Sequence, residues 1–171
     1  RSINFLTQSE HPAITQLRGF AFNNHNEDDP SLVTLTDYPP NGFLTDFMEK
    51  VKKGQFPKFD NTSKSKFLLG ATFVGYLLHS RGIVHRFLAP PSFGVTENYE
   101  PILMTMSFSK NINEGILKTQ QNPFSGNWTA PEVDDPDTIN EIEFNDRTDV
   151  FSLGSIAYYL FTGKVPFSEL G

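Results

Sequence analysis

The clearest candidate for a catalytic side chain lies near the middle of the chain. His85 has an imidazole that could act as a general acid or base, or could be a buried structural residue. Three acidic residues, Asp134, Asp135 and Asp137, could ligate a metal ion. Acidic clusters of this kind are more typical of a solvated loop, which is the interpretation favoured here.

The composition excludes several classes of protein. The chain has 171 residues, of which 37% are hydrophobic and 20% charged, as expected for one globular domain. It has no cysteine, so a disulfide scaffold and a thiolate metal site are excluded. A net charge of −6 argues against general binding to nucleic acid or to an anionic membrane. Without a signal-peptide pattern, a cytoplasmic location within a longer protein is expected.

The elements that must position these side chains follow from hydrophobic periodicity and from breaks at proline and glycine. Residues 1–9 are predicted to end a helix before Pro12, and residues 105–129 to form a long surface loop. The order of two strands followed mostly by helices predicts an α+β fold, a small sheet against a helical body. The predicted strands span 14–22, 31–36, 93–95 and 102–104, and the predicted helices span 43–51, 62–80 and 148–162.

Several short motifs follow one another in an order and at a spacing that resemble the protein kinase superfamily. The linker and the hinge resemble those of its tyrosine-kinase-like group. The matching segments are His11-Pro12-Ala13-Ile14, Tyr38 to Gly42, His85-Arg86-Phe87-Leu88 with Ser92, Thr105-Met106-Ser107, Ala130-Pro131-Glu132, and Asp149 to Gly154.

The resemblance implies a partial kinase-like domain over residues 1–171. Residues 1–38 would be the remainder of the small lobe from helix C to the hinge, and residues 39–171 the large lobe up to the central helix. The Gly-rich loop and the strand lysine would precede Arg1, and the last helices would follow Gly171.

At each position where the resemblance implies a catalytic group, this chain carries a residue without that chemistry. Phe87 replaces the aspartate that orients the substrate hydroxyl, and Ala89 replaces the loop lysine. Ser92 and Thr105 replace the metal-binding asparagine and aspartate, although magnesium is usually held by one or two carboxylates. Ser2 takes the place of the helix C glutamate. No metal site is therefore predicted.

The hinge is altered as well. The resemblance makes Thr36 the gatekeeper, and Asp37 would offer its carbonyl to adenine. Pro39 falls where a backbone N–H should donate to the adenine ring, and proline has none. Gly94 replaces the leucine that forms the floor of the adenine site. Both changes are expected to weaken nucleotide binding.

The positions that would hold the fold together are retained. The resemblance implies that His85 and Met106 belong to a stacked hydrophobic spine with Leu6 and Leu17, and that Asp149 anchors it. Arg86 would receive a phosphate in active relatives, for which Thr119 or Ser125 could serve, but packing or a salt link is the favoured role. The structural motif residues are His85, Arg86, Ala130, Pro131, Glu132, Asp149 and Gly154, the last allowing close helix packing.

These residues together predict a pseudokinase, an interaction or regulatory module that transfers no phosphate and needs no cofactor. Its expected partners are other proteins, among them signalling components, with no nucleic acid and no membrane insertion. The alternative is a divergent ATP-dependent serine/threonine or tyrosine protein kinase that uses ATP and magnesium through unusual residues. A degenerate product without a folded function is a third hypothesis.

Overall fold

The computed structural model describes residues 11–23, 31–112, 118–119, 126–134 and 142–169. The first element within these ranges is a hairpin of strand β1 (Leu17–Asn23) and strand β2 (Ser31–Thr36), paired antiparallel with Leu17 opposite Thr36 and Asn23 opposite Ser31. The strand predicted over 31–36 is present with those bounds, and the strand predicted over 14–22 begins three residues later, at Leu17. The helix end predicted over 1–9 lies outside the described residues.

Among the described residues, four α-helices follow the hairpin: α1 (Leu44–Lys52), α2 (Asn61–His79), α3 (Pro131–Asp134) and α4 (Asp146–Thr162). The two long ones have defined ends. Asp60 caps α2 by accepting from the Ser63 backbone N–H, and Asn145 caps α4 through Arg147 in the same way. Gly163 ends α4 with a φ of 69°, in the left-handed region that favours glycine.

The same part of the chain also contains six short strands. Strand β3 (Ile83–Val84) pairs with β6 (Lys110–Asn111), β4 (Phe93–Val95) with β5 (Pro101–Leu103), and β7 (Lys118–Thr119) with β8 (Ile142–Glu143). The prediction of one loop over 105–129 was therefore incomplete, because β6 and β7 lie within that range. Two-residue strands have no readable periodicity, and their partners are distant in sequence.

The core lies where α1, α2 and α4 meet strands β4 and β5. Its largest buried side chains include Phe47, Phe67 and Phe93, all fully buried. Burying such a ring contributes roughly 1.5–3 kcal/mol to stability. The α+β class is confirmed, with a small hairpin sheet and a mostly helical remainder.

Close packing between the two long helices depends on Gly75. A β-carbon at Gly75 would lie 3.2 Å from Leu153 Cδ1, so α2 and α4 approach closely at this point. Within the described residues Gly154 is exposed, and no atom of another element lies within 4 Å of where its β-carbon would be, so its role in close helix packing stays a prediction. The buried face of α4 carries Leu153, Ile156 and Leu160 instead.

Within the part of the chain that the structure describes, no helix combines the length and the apolar character needed to cross a membrane.

Candidate functional site

The loop that follows β3 is pinned to α4 by one buried carboxylate. Asp149 is 1% exposed and accepts hydrogen bonds from the backbone N–H groups of His85 at 2.8 Å and Arg86 at 2.9 Å. Arg86 has a φ of 73°, a backbone conformation that costs a non-glycine residue free energy. The Asp149 carboxylate therefore holds the loop in a strained backbone conformation and anchors it to α4.

A second histidine contributes to this anchor. His79, at the end of α2, lies with Nε2 at 2.9 Å from Asp149 Oδ2. The hydrogen bond from His79 to Asp149 raises the pKa of the imidazole, and the negative charge of Asp146 acts in the same direction. The sequence analysis did not single out His79. The feature that could have identified His79 is its position at the C-terminal end of a long predicted helix, directly before the loop.

His85 is fully buried and both of its ring nitrogens are occupied. Nδ1 accepts from the Phe87 backbone N–H at 3.2 Å, which leaves Nε2 to donate to the Thr105 carbonyl at 2.7 Å. Burial lowers the pKa of this imidazole, so the neutral form is favoured. A neutral ring with both nitrogens bonded to backbone joins the loop to the Thr105 segment and leaves no nitrogen for acid–base catalysis.

The position implied for the catalytic aspartate is aromatic. Phe87 is half-buried, and its ring packs edge-on against the ring of Phe108, with 5.7 Å between centroids. Phe108 was not identified from the sequence, because only the structure brings the two rings together. An aromatic pair can neither accept a proton nor orient a hydroxyl, so this position has no general-base chemistry.

Ser92 closes the loop upon itself. Its hydroxyl donates to the Phe87 carbonyl at 2.8 Å and accepts from the Ala89 backbone N–H at 3.2 Å. Ser92 is 1% exposed and Ala89 is also buried. Both hydrogen-bonding directions of the hydroxyl thus serve the loop, and the oxygen is directed at backbone groups rather than at a ligand.

The residues at the two implied metal positions do not fit magnesium. Thr105 Oγ1 donates to Ser107 Oγ at 3.2 Å, and Ser92 is engaged as described above. Neither position has a carboxylate, which magnesium sites in proteins usually include. Across the described residues, no cluster of three or more His, Asp or Glu side chains could hold a metal ion.

The hinge residues lie between β2 and α1. Thr36 is half-buried at the end of β2, and the exposed Asp37 accepts from Arg18 at 2.6 Å, a hydrogen bond that lowers the pKa of Asp37. Pro39 is buried, whereas the following Pro40 is exposed. Gly94 lies in the middle of β4, where it pairs with Ile102.

Of the remaining motif residues, Arg86 and Ala130 line the same small cavity. The Arg86 guanidinium is half-buried over the ring of Phe144, with Cζ 4.5 Å from the centroid, and burial lowers its pKa. Ala130 is buried beside it, α3 begins at Pro131, and Glu132 is exposed. The side chains of Thr119 and Ser125 lie outside the described residues, as do Ser2, Leu6 and most of the acidic cluster.

A comparison of this chain with models of known protein families shows which family it belongs to. A model described as protein tyrosine and serine/threonine kinase matches residues 1–171, which is the whole chain. The chain belongs to the protein kinase family. The family predicted from the motifs is therefore confirmed.

Individual relatives of this kinase-family chain carry serine/threonine kinase names. A protein of Acanthamoeba polyphaga mimivirus named as a serine/threonine-protein kinase/receptor, R831, is 29% identical over 96% of the chain. Serine/threonine-protein kinase RAD53 of Saccharomyces cerevisiae is 30% identical over 98%, and serine/threonine-protein kinase cds1 of Schizosaccharomyces pombe is 26% identical over 99%. The chain spans 9%, 20% and 35% of these three proteins' lengths.

These comparisons bear on the family and leave two finer predictions open. The similarity is to serine/threonine kinases, while the tyrosine-kinase-like group and the loss of activity stay predictions.

Proposed function

We propose that this chain is part of a kinase-family domain that transfers no phosphate and acts on other proteins as an interaction or regulatory module. Phosphoryl transfer depends on positioning the substrate and on neutralising the charge that develops on the phosphoryl group. The observation that carries the proposal is the state of the loop after β3. Its base position is an aromatic pair, and the hydroxyl of Ser92 is bonded to the loop's own backbone.

The retained anchor supports the same proposal. A buried carboxylate with three hydrogen-bond donors is stabilising only while every donor is in place, and Asp149 keeps all three. A domain of this kind can bind and regulate other proteins through its surface. We also propose that residues 1–38 belong to a small lobe and residues 39–171 to a large lobe.

The test is an assay of the full chain with ATP labelled on the γ-phosphate, magnesium and a general protein substrate. We expect no transfer above background for the unaltered protein. The Phe87→Asp variant should also be inactive, because Ser92 and Thr105 still lack carboxylates. An active serine/threonine kinase relative serves as the positive control. Transfer that disappears in a Thr105→Ala or Ser92→Ala variant would contradict the proposal.

The second candidate is a divergent ATP-dependent kinase, and the names of the relatives favour it. Such an enzyme would need to hold magnesium and ATP through residues other than Ser92 and Thr105. A rise in melting temperature with ATP that requires magnesium would support this candidate. We expect the melting temperature to be the same with ATP whether or not magnesium is present.

A further inference from the structure

Pro39 and Gly94 are in direct contact across the hinge. A β-carbon at Gly94 would lie 2.6 Å from Pro39 Cβ, 2.8 Å from Pro39 Cγ and 3.1 Å from Met104 Sδ. Contacts below 3.0 Å are too short for two carbon atoms, so the side chain of any other residue at position 94 would overlap the proline ring. The space that a side chain would occupy on this face of β4 is filled by Pro39.

The proline is fixed in that place by its own turn. Gly42 donates its N–H to the Pro39 carbonyl at 2.9 Å, with a φ of 77° that favours glycine. The turn is then joined to β4, because the Asn41 N–H donates to the Val95 carbonyl and the Val95 N–H donates to the Gly42 carbonyl, each at 3.0 Å.

A side-chain hydrogen bond completes this attachment. Asn41 Nδ2 donates to the Thr96 carbonyl at 2.7 Å, one residue beyond β4. Three hydrogen bonds therefore join Asn41 and Gly42 to the segment that carries Gly94. Moving the Pro39 ring away from Gly94 would break several of them, so the ring is held in a fixed position.

We infer that Pro39 and Gly94 are a matched pair, in which the proline ring acts as a built-in plug that closes this face of the hinge to a flat ring such as adenine. The inference rests on the proposed function and deepens it. From the sequence, Pro39 was the loss of a backbone N–H donor and Gly94 the loss of a leucine side chain. In the structure, the proline ring fills the space that a side chain at residue 94 would occupy. Restoring a side chain at residue 94 while Pro39 remains should destabilise the protein rather than rebuild a pocket.

A double-mutant cycle in the full chain tests the pairing. Gly94→Ala, Pro39→Gly and the double variant are unfolded in urea, and the coupling between the two positions is measured. We expect Gly94→Ala to raise the unfolding equilibrium constant at least tenfold more when residue 39 is proline than when it is glycine. Pro40→Gly is the matched control, and it should leave the cost of Gly94→Ala unchanged. Equal costs in all three backgrounds would overturn the pairing.

Calorimetry with adenosine tests the plug, since adenosine needs neither magnesium nor a phosphate site. The unaltered chain and Pro40→Gly should show no measurable binding. Pro39→Gly, which restores a backbone N–H and removes the ring, should bind at least tenfold more tightly than either. Adenosine binding by the unaltered chain, or none by Pro39→Gly, would overturn the plug. Phosphate transfer would instead overturn the proposed function, so the two can fail separately.

Discussion

Two parts of one loop differ in what their side chains do. At its start, the backbone N–H groups of His85 and Arg86 point at a buried carboxylate from α4, with His79 as a third donor. Further along, Phe87 packs on an aromatic ring and Ser92 bonds to the loop itself. The first part is bound to the helical core, whereas the Ser92 hydroxyl in the second part bonds only to backbone of the loop. The residues that fix the shape of the loop are therefore different from the residues that decide its chemistry.

The energetic reason for this separation lies in burial. A buried carboxylate costs several kcal/mol unless its hydrogen bonds are made, so Asp149 and its donors must be retained together. The hydroxyl of Ser92 is neutral and is satisfied by two backbone groups a few residues away. Substitutions at such positions can change the chemistry without removing a distant contact.

The largest expected effect comes from breaking the anchor. Replacing Asp149 with alanine leaves the N–H groups of His85 and Arg86 without their acceptor and should lower the free energy of unfolding by about 3–5 kcal/mol. Urea unfolding of the full chain measures this change. Asp146→Ala, on the exposed first turn of α4, is the control and should cost less than about 1 kcal/mol. Similar costs for both variants would show that Asp149 is no anchor.

An intermediate effect is expected at the chemically altered positions. Ser92→Ala leaves the buried Ala89 N–H without its partner and should cost about 1–3 kcal/mol. Thr105→Ala removes a half-exposed hydroxyl bonded to the exposed Ser107 and should cost about 0.5 kcal/mol or less. The same unfolding measurement compares the two. If Ser92→Ala proves as mild as Thr105→Ala, the hydroxyl does not hold the loop closed.

The smallest effect concerns pH. The pKa of His79 is raised in the folded state above its ordinary value of 6.5, chiefly by the hydrogen bond with Asp149. The folded state therefore binds the proton more tightly than the unfolded chain does. The stabilisation is fully present below pH 6.5 and is lost as the pH rises through the raised pKa.

His85 acts in the opposite direction. Burial lowers its pKa below 6.5, so its contribution is present above that pH and is lost on acidification. Comparing the unfolding free energies of the unaltered chain and His79→Gln from pH 5 to 9 isolates the His79 part. The difference between the two proteins should shrink as the pH rises, and a difference that grows would contradict the assigned hydrogen bond.

The long elements and the altered residues were accessible from the sequence, and the contacts between them were not. Helices α2 and α4 have enough apolar positions for their periodicity to be read, and the motif spacing identified Phe87, Ser92 and Thr105. The role of Gly75 in the contact between α2 and α4 was not identified, because the face of a mostly apolar helix that meets its neighbour depends on tertiary packing. The His79–Asp149 and Pro39–Gly94 contacts join residues 70 and 55 positions apart, a distance that no local pattern spans.

His85 carries a consequence for magnetic resonance. Its Nε2 proton lies between a buried imidazole and a main-chain carbonyl, shielded from bulk water. A proton so placed exchanges slowly with solvent, and its resonance should be visible far downfield in a spectrum of the folded protein. The nitrogen shifts of the ring would report a single neutral tautomer. One side chain thus offers a direct readout of whether the loop and the Thr105 segment remain joined.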